Sequence, residues 1–130
     1  MHRDMLYNNF EDDILNNIEN DELYSILLIV FKRIKNNKYA LGERNVSIFI
    51  DYHNPYIDNS YTKLAKKYNR SSESIRRIIL KTYRQLLFEI NRKGHTDIVN
   101  MYKIAGRKYM KMKIKELFET KYEYLYNLSE

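Results

Sequence analysis

Apolar residues recur at helical spacing along nearly the whole chain, which predicts an all-α fold. Phe10, Ile14, Leu15 and Ile18 predict a short helix over residues 10–18, with Asp12 and Asp13 favouring its N-terminal end. Leu23, Tyr24, Ile26, Leu27, Leu28, Val30, Phe31 and Ile34 cover most of a circumference, so a helix over residues 21–35 should be well buried. Asp21 suits its start, and Lys32, Arg33 and Lys35 suit its end. Residues 36–45 read as a loop. Residues 46–53, V-S-I-F-I-D-Y-H, satisfy a strand by β-branched content and a helix by the spacing of Val46, Phe49 and Ile50. Residues 54–59, with Pro55, form a turn.

The next stretch, S-Y-T-K-L-A-K-K-Y-N-R-S-S-E-S-I-R-R-I-I-L-K-T-Y-R-Q-L-L-F-E-I, is the most informative. Ser60 can cap a helix that carries Leu64, Ala65 and Tyr68 on one side. Asn69 tolerates the left-handed backbone that stops a helix. Ser71 can cap the next helix, with Glu73 in its first turn. Ile75, Ile78, Ile79, Thr82, Leu86 and Ile90 give that helix an inward face, and Ser72, Glu73, Arg76, Arg77, Lys81 and Arg84 an outward one. It runs to Arg92 or Lys93, where two cations precede Gly94. The small Ala65 lets the two helices cross closely, and the N-R-S turn has the length for a crossing near a right angle. The pattern is that of a helix-turn-helix, whose second helix can enter a major groove. The same pattern would also serve an αα-hairpin that only packs a core; the Arg- and Lys-rich outer face favours the first reading.

Three pieces of this stretch, S-Y-T-K-L-A-K-K-Y, S-S-E-S-I-R-R-I and K-T-Y-R-Q-L, resemble the DNA-reading region 4 of bacterial sigma factors and related phage and plasmid regulators. The likeness covers about 45 residues of 130. It implies that residues 46–52 form the short helix opening that domain, which decides their ambiguity in favour of helix. It also implies that Glu73 and Arg76 occupy the positions reading base edges and phosphate in the −35 promoter element. Ser72, Arg77 and Arg70 differ from the residues common in the family. Nothing matches the sigma domain that melts the −10 element, so the resemblance is to region 4 alone.

C-terminal to Gly94, Thr96 or Asp97 can cap a further helix. Ile98, Tyr102, Ala105, Tyr109 and Met112 follow in a short heptad-like seam, which Gly106 weakens. Lys103, Arg107, Lys108, Lys111, Lys113 and Lys115 make this arm basic, and Leu117, Phe118, Tyr122, Leu125 and Leu128 continue it as an amphipathic stretch. The arm could pack on the chain's own core, form a homodimer seam or add phosphate contacts. The organisation expected is an acidic N-terminal helical segment over 1–40, a helix-turn-helix over 41–94 and a basic helical arm over 95–130.

Charge sharpens this division. The net charge of +6 conceals −6 over residues 1–31 and +12 over the remainder. Residues 63–93 alone hold ten basic and two acidic residues, the footprint of phosphate binding. The acidic segment would be solvated, contact a polymerase or mask the basic helix. With no cysteine there is neither a disulfide frame nor a thiolate metal site. No apolar run approaches a bilayer span and no signal peptide is evident, so a cytoplasmic protein without a membrane partner is expected. His2, His53 and His95 lack metal-ligand spacing and read as loop or helix-end residues. No nucleophile elbow, phosphate loop or dinucleotide-binding glycine pattern is present, so neither an enzyme nor a cofactor is expected. The 13 tyrosines would suit stacking on single-stranded bases, but most occupy helical apolar positions and are assigned to the core.

Together these features point to a sequence-specific double-stranded DNA-binding transcription regulator. Ser71, Ser72, Glu73, Arg76 and Arg77 lie at the leading end of the reading helix, the last four as base-edge candidates. Lys63, Lys66, Lys67, Arg70, Lys81 and Arg84 would bind phosphates. The alternatives are a sigma-like adaptor that docks on RNA polymerase with little DNA affinity, and a phage or plasmid packaging or replication protein.

Overall fold

A computed structural model describes residues 21–37, 41–57 and 59–129, the last nine by backbone alone. The helix expected over residues 10–18 lies outside them. The described residues form helices and turns and include no strand. We number the helices α1 (residues 21–35), α2 (Gly42–Tyr52), α3 (Tyr61–Tyr68), α4 (Ser72–Arg92), α5 (Thr96–Ala105) and α6 (Arg107–Ser129).

The core draws on all six. Leu27, Val30 and Phe31 of α1, Val46 and Phe49 of α2, Leu64 of α3, Ile79 and Leu86 of α4, Ile98 of α5 and Phe118 of α6 are all buried. The long helix α4 is central and packs against α2, α3 and α5, while α6 packs against α2 and α5. Arg33 of α1 reaches Glu89 of α4 at 2.8 Å, and Arg92 bonds the other carboxylate oxygen at 3.1 Å. Glu89 is buried beneath these two arginines, which hold its carboxyl below the usual range, the hydrogen bond from Arg33 contributing most.

Three expectations are corrected. The loop after α1 is shorter than residues 36–45, because α2 already begins at Gly42. There the two helices touch backbone to backbone: a Cβ on Gly42 would sit 2.1 Å from the Ile34 carbonyl oxygen. A hydrogen in place of a side chain permits that approach. His95, rather than Thr96 or Asp97, occupies the N-cap of α5, and it makes no capping bond there; its imidazole pairs with Glu22 of α1. Finally, the seam from Ile98 to Met112 is not one continuous stripe. Gly106 ends α5 with φ 73° and ψ −156°, a conformation essentially confined to glycine, and the chain restarts as α6 on a new line. Met112 is exposed, and the inward positions of α6 are Met110, Ile114, Leu117 and Phe118.

His53, at the C-terminal end of α2, is fully buried. Its Nδ1 bonds the Phe49 carbonyl at 2.7 Å, so the proton belongs on Nδ1; Nε2 then accepts from the Tyr83 hydroxyl at 2.5 Å. The ring packs against Phe49, Tyr52, Tyr83 and Phe118. Burial, aided by the nearby Lys111 and Lys115 charges, lowers its pKa from 6.5 to about 3, so the folded imidazole is neutral.

Two outcomes follow from this packing. Gly42→Ala should destabilise the fold by about 1–3 kcal/mol, read from the midpoint of urea unfolding, because neither backbone can yield cheaply. On acidification the unfolded chain takes up a proton at His53 before the folded chain does, so stability should fall as pH drops below 6.5. The slope should approach about 1.4 kcal/mol per pH unit and persist to the folded pKa. Measured between pH 6.5 and 5, above the carboxylate range, His53→Gln should flatten that slope whatever its effect on stability at neutral pH.

Candidate nucleic-acid interface

The geometry of α3 and α4 is set by three local devices. Ser60 adopts extended backbone and its hydroxyl accepts from the Lys63 amide at 3.2 Å, which starts α3. At the other end, Asn69 lies in the left-handed region (φ 54°, ψ 50°). The Arg70 amide donates to Ala65 O at 2.9 Å and the Asn69 amide to Lys66 O at 3.4 Å, the pair of bonds that defines a Schellman stop. Ser71 then caps α4 by accepting from the Ser74 amide at 3.0 Å. The turn is therefore held by hydrogen bonds to both helices, and Ala65 packs against the core beside it.

The two faces of α4 separate as its periodicity predicts, except that Ile78, expected inward, is half-buried and lines a groove beside Arg77. Ile75, Ile79, Thr82, Leu86 and Ile90 are buried, joined by Tyr83 and Glu89. Ser71, Ser72, Glu73, Arg77, Lys81 and Arg84 are exposed, and the Arg76 side chain is 40% exposed. Arg77, Lys81 and Arg84 line two adjacent grooves. One is shared with Arg33, Ile34, Asn37 and Phe88, and the other with Glu73, Arg76 and Leu80. These three cations, at i, i+4 and i+7 of α4, thus form a ridge that borders both grooves.

Glu73 governs the leading end of that ridge. Its carboxylate accepts from Arg76 Nη2 at 2.9 Å and Nε at 3.0 Å, and it pairs with Arg77 Nε at 3.4 Å. These are the i,i+3 and i,i+4 partners that a helix brings together. The Arg76 hydrogen bond is the main cause of a Glu73 pKa below the usual carboxylate range, and Glu73 in turn raises that of Arg76. Both arginines are held forward, and each would exchange an intrahelical partner for an external acceptor.

The remaining cations divide. Lys63 and Lys66 are exposed on α3. Arg70 donates to Ser74 Oγ at 3.1 and 3.3 Å, which lays it against the first turn of α4. Lys67 is turned toward α2, where its ammonium meets Asp51 at 2.7 Å. The same carboxylate oxygen accepts from the Tyr68 hydroxyl at 2.5 Å, and the Asp51 carbonyl accepts from Asn59 Nδ2 at 2.6 Å. Asp51 was not singled out from the sequence, yet it ties α2, the following loop and the end of α3 together. Its signal was an acid next to the buried run Ile48, Phe49 and Ile50. A stacked pair of rings, Tyr52 and Tyr61, closes the opposite end of α3, with centroids 5.1 Å apart and planes at 11°.

Among the described residues no group of three or more histidine, aspartate or glutamate side chains could hold a metal ion. No helix of the described residues is long and apolar enough to cross a membrane. Comparison with known proteins gave no match, either to family models or to the sequences and solved structures of characterised proteins.

The Asp51 anchor can be dissected by double-mutant cycles. Pairing Asp51→Asn with Tyr68→Phe should give a coupling of about 1.5–3 kcal/mol, since a hydroxyl bonded to a sheltered carboxylate is a charge-assisted contact. Pairing it with Lys67→Ala should give about 1 kcal/mol or less, because water screens the exposed lysine. Urea unfolding of the four variants in each cycle provides the measurement.

Proposed function

We propose that this chain is a sequence-specific double-stranded DNA-binding transcription regulator of the sigma region 4-like kind, reading the major groove with helix 71–93. The observation that carries this reading is the ridge of Arg77, Lys81 and Arg84, with Glu73 and Arg76 at its leading end, on a helix whose opposite face is buried. A helix presented this way can place side chains against base edges while its neighbours hold phosphates. Arg76 and Arg77 are the candidates for guanine, and Glu73 for cytosine. Ser71 and Ser72 stand beside them at the start of the helix. Lys63, Lys66, Lys81 and Arg84 would neutralise phosphates and fix the register. Lys67 and Arg70 contribute less, since Asp51 and Ser74 already engage them.

Glu73 adds selectivity to this scheme. On random DNA its pairs with Arg76 and Arg77 compete with phosphate. On the right sequence its carboxylate gains an amino donor as the arginines gain acceptors, so all three groups exchange partners together. A complete sigma factor is not proposed, since the sequence resemblance is to region 4 alone.

A second reading has one observation in its favour. The groove between α1 and α4 contains Ile34, Ile78 and Phe88, and Phe88 is 65% exposed. An exposed aromatic side chain among arginines suits a protein partner, as a sigma-like adaptor on RNA polymerase would require. A polymerase pull-down set beside a gel shift on random and promoter duplexes separates the two readings.

Selection of bound sites from a random duplex pool supplies the ligand for the main test. On the selected site, Arg76→Ala and Arg77→Ala should each cost about 1–3 kcal/mol and relax the preference at one position. Lys66→Ala should weaken selected and random DNA alike and lower the salt slope by about one unit. Equal losses on both DNAs for all three variants would refute the base-reading assignment.

A further inference from the structure

A second set of cations converges on the first turn of α3. Tyr61 stacks on Tyr52, and the two hydroxyls lie 3.4 Å apart. Lys111 of α6 holds its ammonium 4.4 Å from the centre of the Tyr52 ring. Arg107, one turn earlier, and Lys111 both lie close enough to the Tyr61 hydroxyl to offset part of the rise in its pKa that burial causes. Arg76 of α4 is within electrostatic reach of the same hydroxyl. Lys111 thus packs on one ring of the pair, with Arg107 nearby on the same helix and Arg76 nearby on α4.

Arg107, Lys111 and Lys115 recur every fourth residue, about 6 Å apart along the helix axis, with Lys108 beside them. Lys108, Lys111 and Lys115 share a groove with Met112, Glu116 and Glu119. Arg107 and Lys108 are exposed and Lys111 and Lys115 half-buried, in a row along the margin of the face on which Met110, Ile114 and Phe118 are buried. The core therefore fixes where these charges stand, and the Tyr52 ring positions one of them further.

We propose that Arg107, Lys108, Lys111 and Lys115 form a second phosphate-binding surface for double-stranded DNA, carrying the contact from α4 across the Tyr52–Tyr61 pair onto α6. This surface rests on the DNA-binding reading above and extends it beyond the helix-turn-helix. It recognises phosphate and no base, so it adds affinity and faster association while α4 retains the choice of sequence. It also gives the C-terminal arm a function that needs no second copy of the chain.

The test uses the full chain and measures affinity for a selected-site duplex and a random duplex from 50 to 200 mM salt, together with hydroxyl-radical footprints. In the Arg107→Gln/Lys108→Gln variant, which changes two exposed side chains and keeps Lys111 on Tyr52, the salt slope should fall by nearly two units on both duplexes. The footprint should shorten on one side, and the preference for the selected site should stay as it was. Lys111→Gln should lower the slope by about one unit, and Lys111→Arg should restore it. Thermal unfolding of each variant establishes that the fold is retained. Wild-type binding with an unchanged slope and footprint in these variants would overturn the second surface and leave the α4 reading standing. A wild-type chain that binds neither duplex at low salt would overturn the DNA reading itself.

Discussion

The hydrogen bond between His53 and Tyr83 is the constraint on which the arrangement turns. It lies at the centre of the molecule, joins the end of α2 to the middle of α4, and rests against Phe118 of α6. A neutral imidazole can satisfy it, because one nitrogen donates to Phe49 while the other accepts. That pairing fixes the rotation of α4 about its own axis. With Tyr83 turned inward, Arg77, Lys81 and Arg84 must face outward.

Acidic side chains do much of the positioning in this basic chain. Asp51 holds α3 to α2, Glu89 holds α1 to α4, and Glu73 holds two arginines forward at the exposed end. The first two are sheltered and serve the fold. Glu73 is half-exposed, so its pairs exchange easily with an external partner.

The helices, the caps Ser60 and Ser71, the stop at Asn69 and both faces of α4 were legible because each leaves a local mark: a period, a capping residue, a turn residue. His53 and Tyr83 also fell on the apolar stripes of their helices, but their polar side chains hid how deeply both are buried. The pairs Asp51 with Lys67 and Arg33 with Glu89 join segments remote in sequence, and no periodicity announces them. Gly42 was equally silent. Its role is steric and depends on a carbonyl of another helix, which only the folded arrangement supplies. Gly106 was visible as a weak point, but the sequence did not show that the chain changes direction there and divides the arm in two. Lys67 and Arg70 are surface cations, as their positions suggest, but their partners Asp51 and Ser74 are not marked by any local pattern.

The division of α4 into a buried side and a free side has a consequence for how such a chain diversifies. Ser72, Arg77, Lys81 and Arg84 lie on the free side, and substitutions there remove no core contact. If the ridge reads DNA as proposed, drift at these positions would be nearly invisible to folding while changing what it recognises. The scaffold could therefore retarget one residue at a time, each intermediate remaining a well-folded protein.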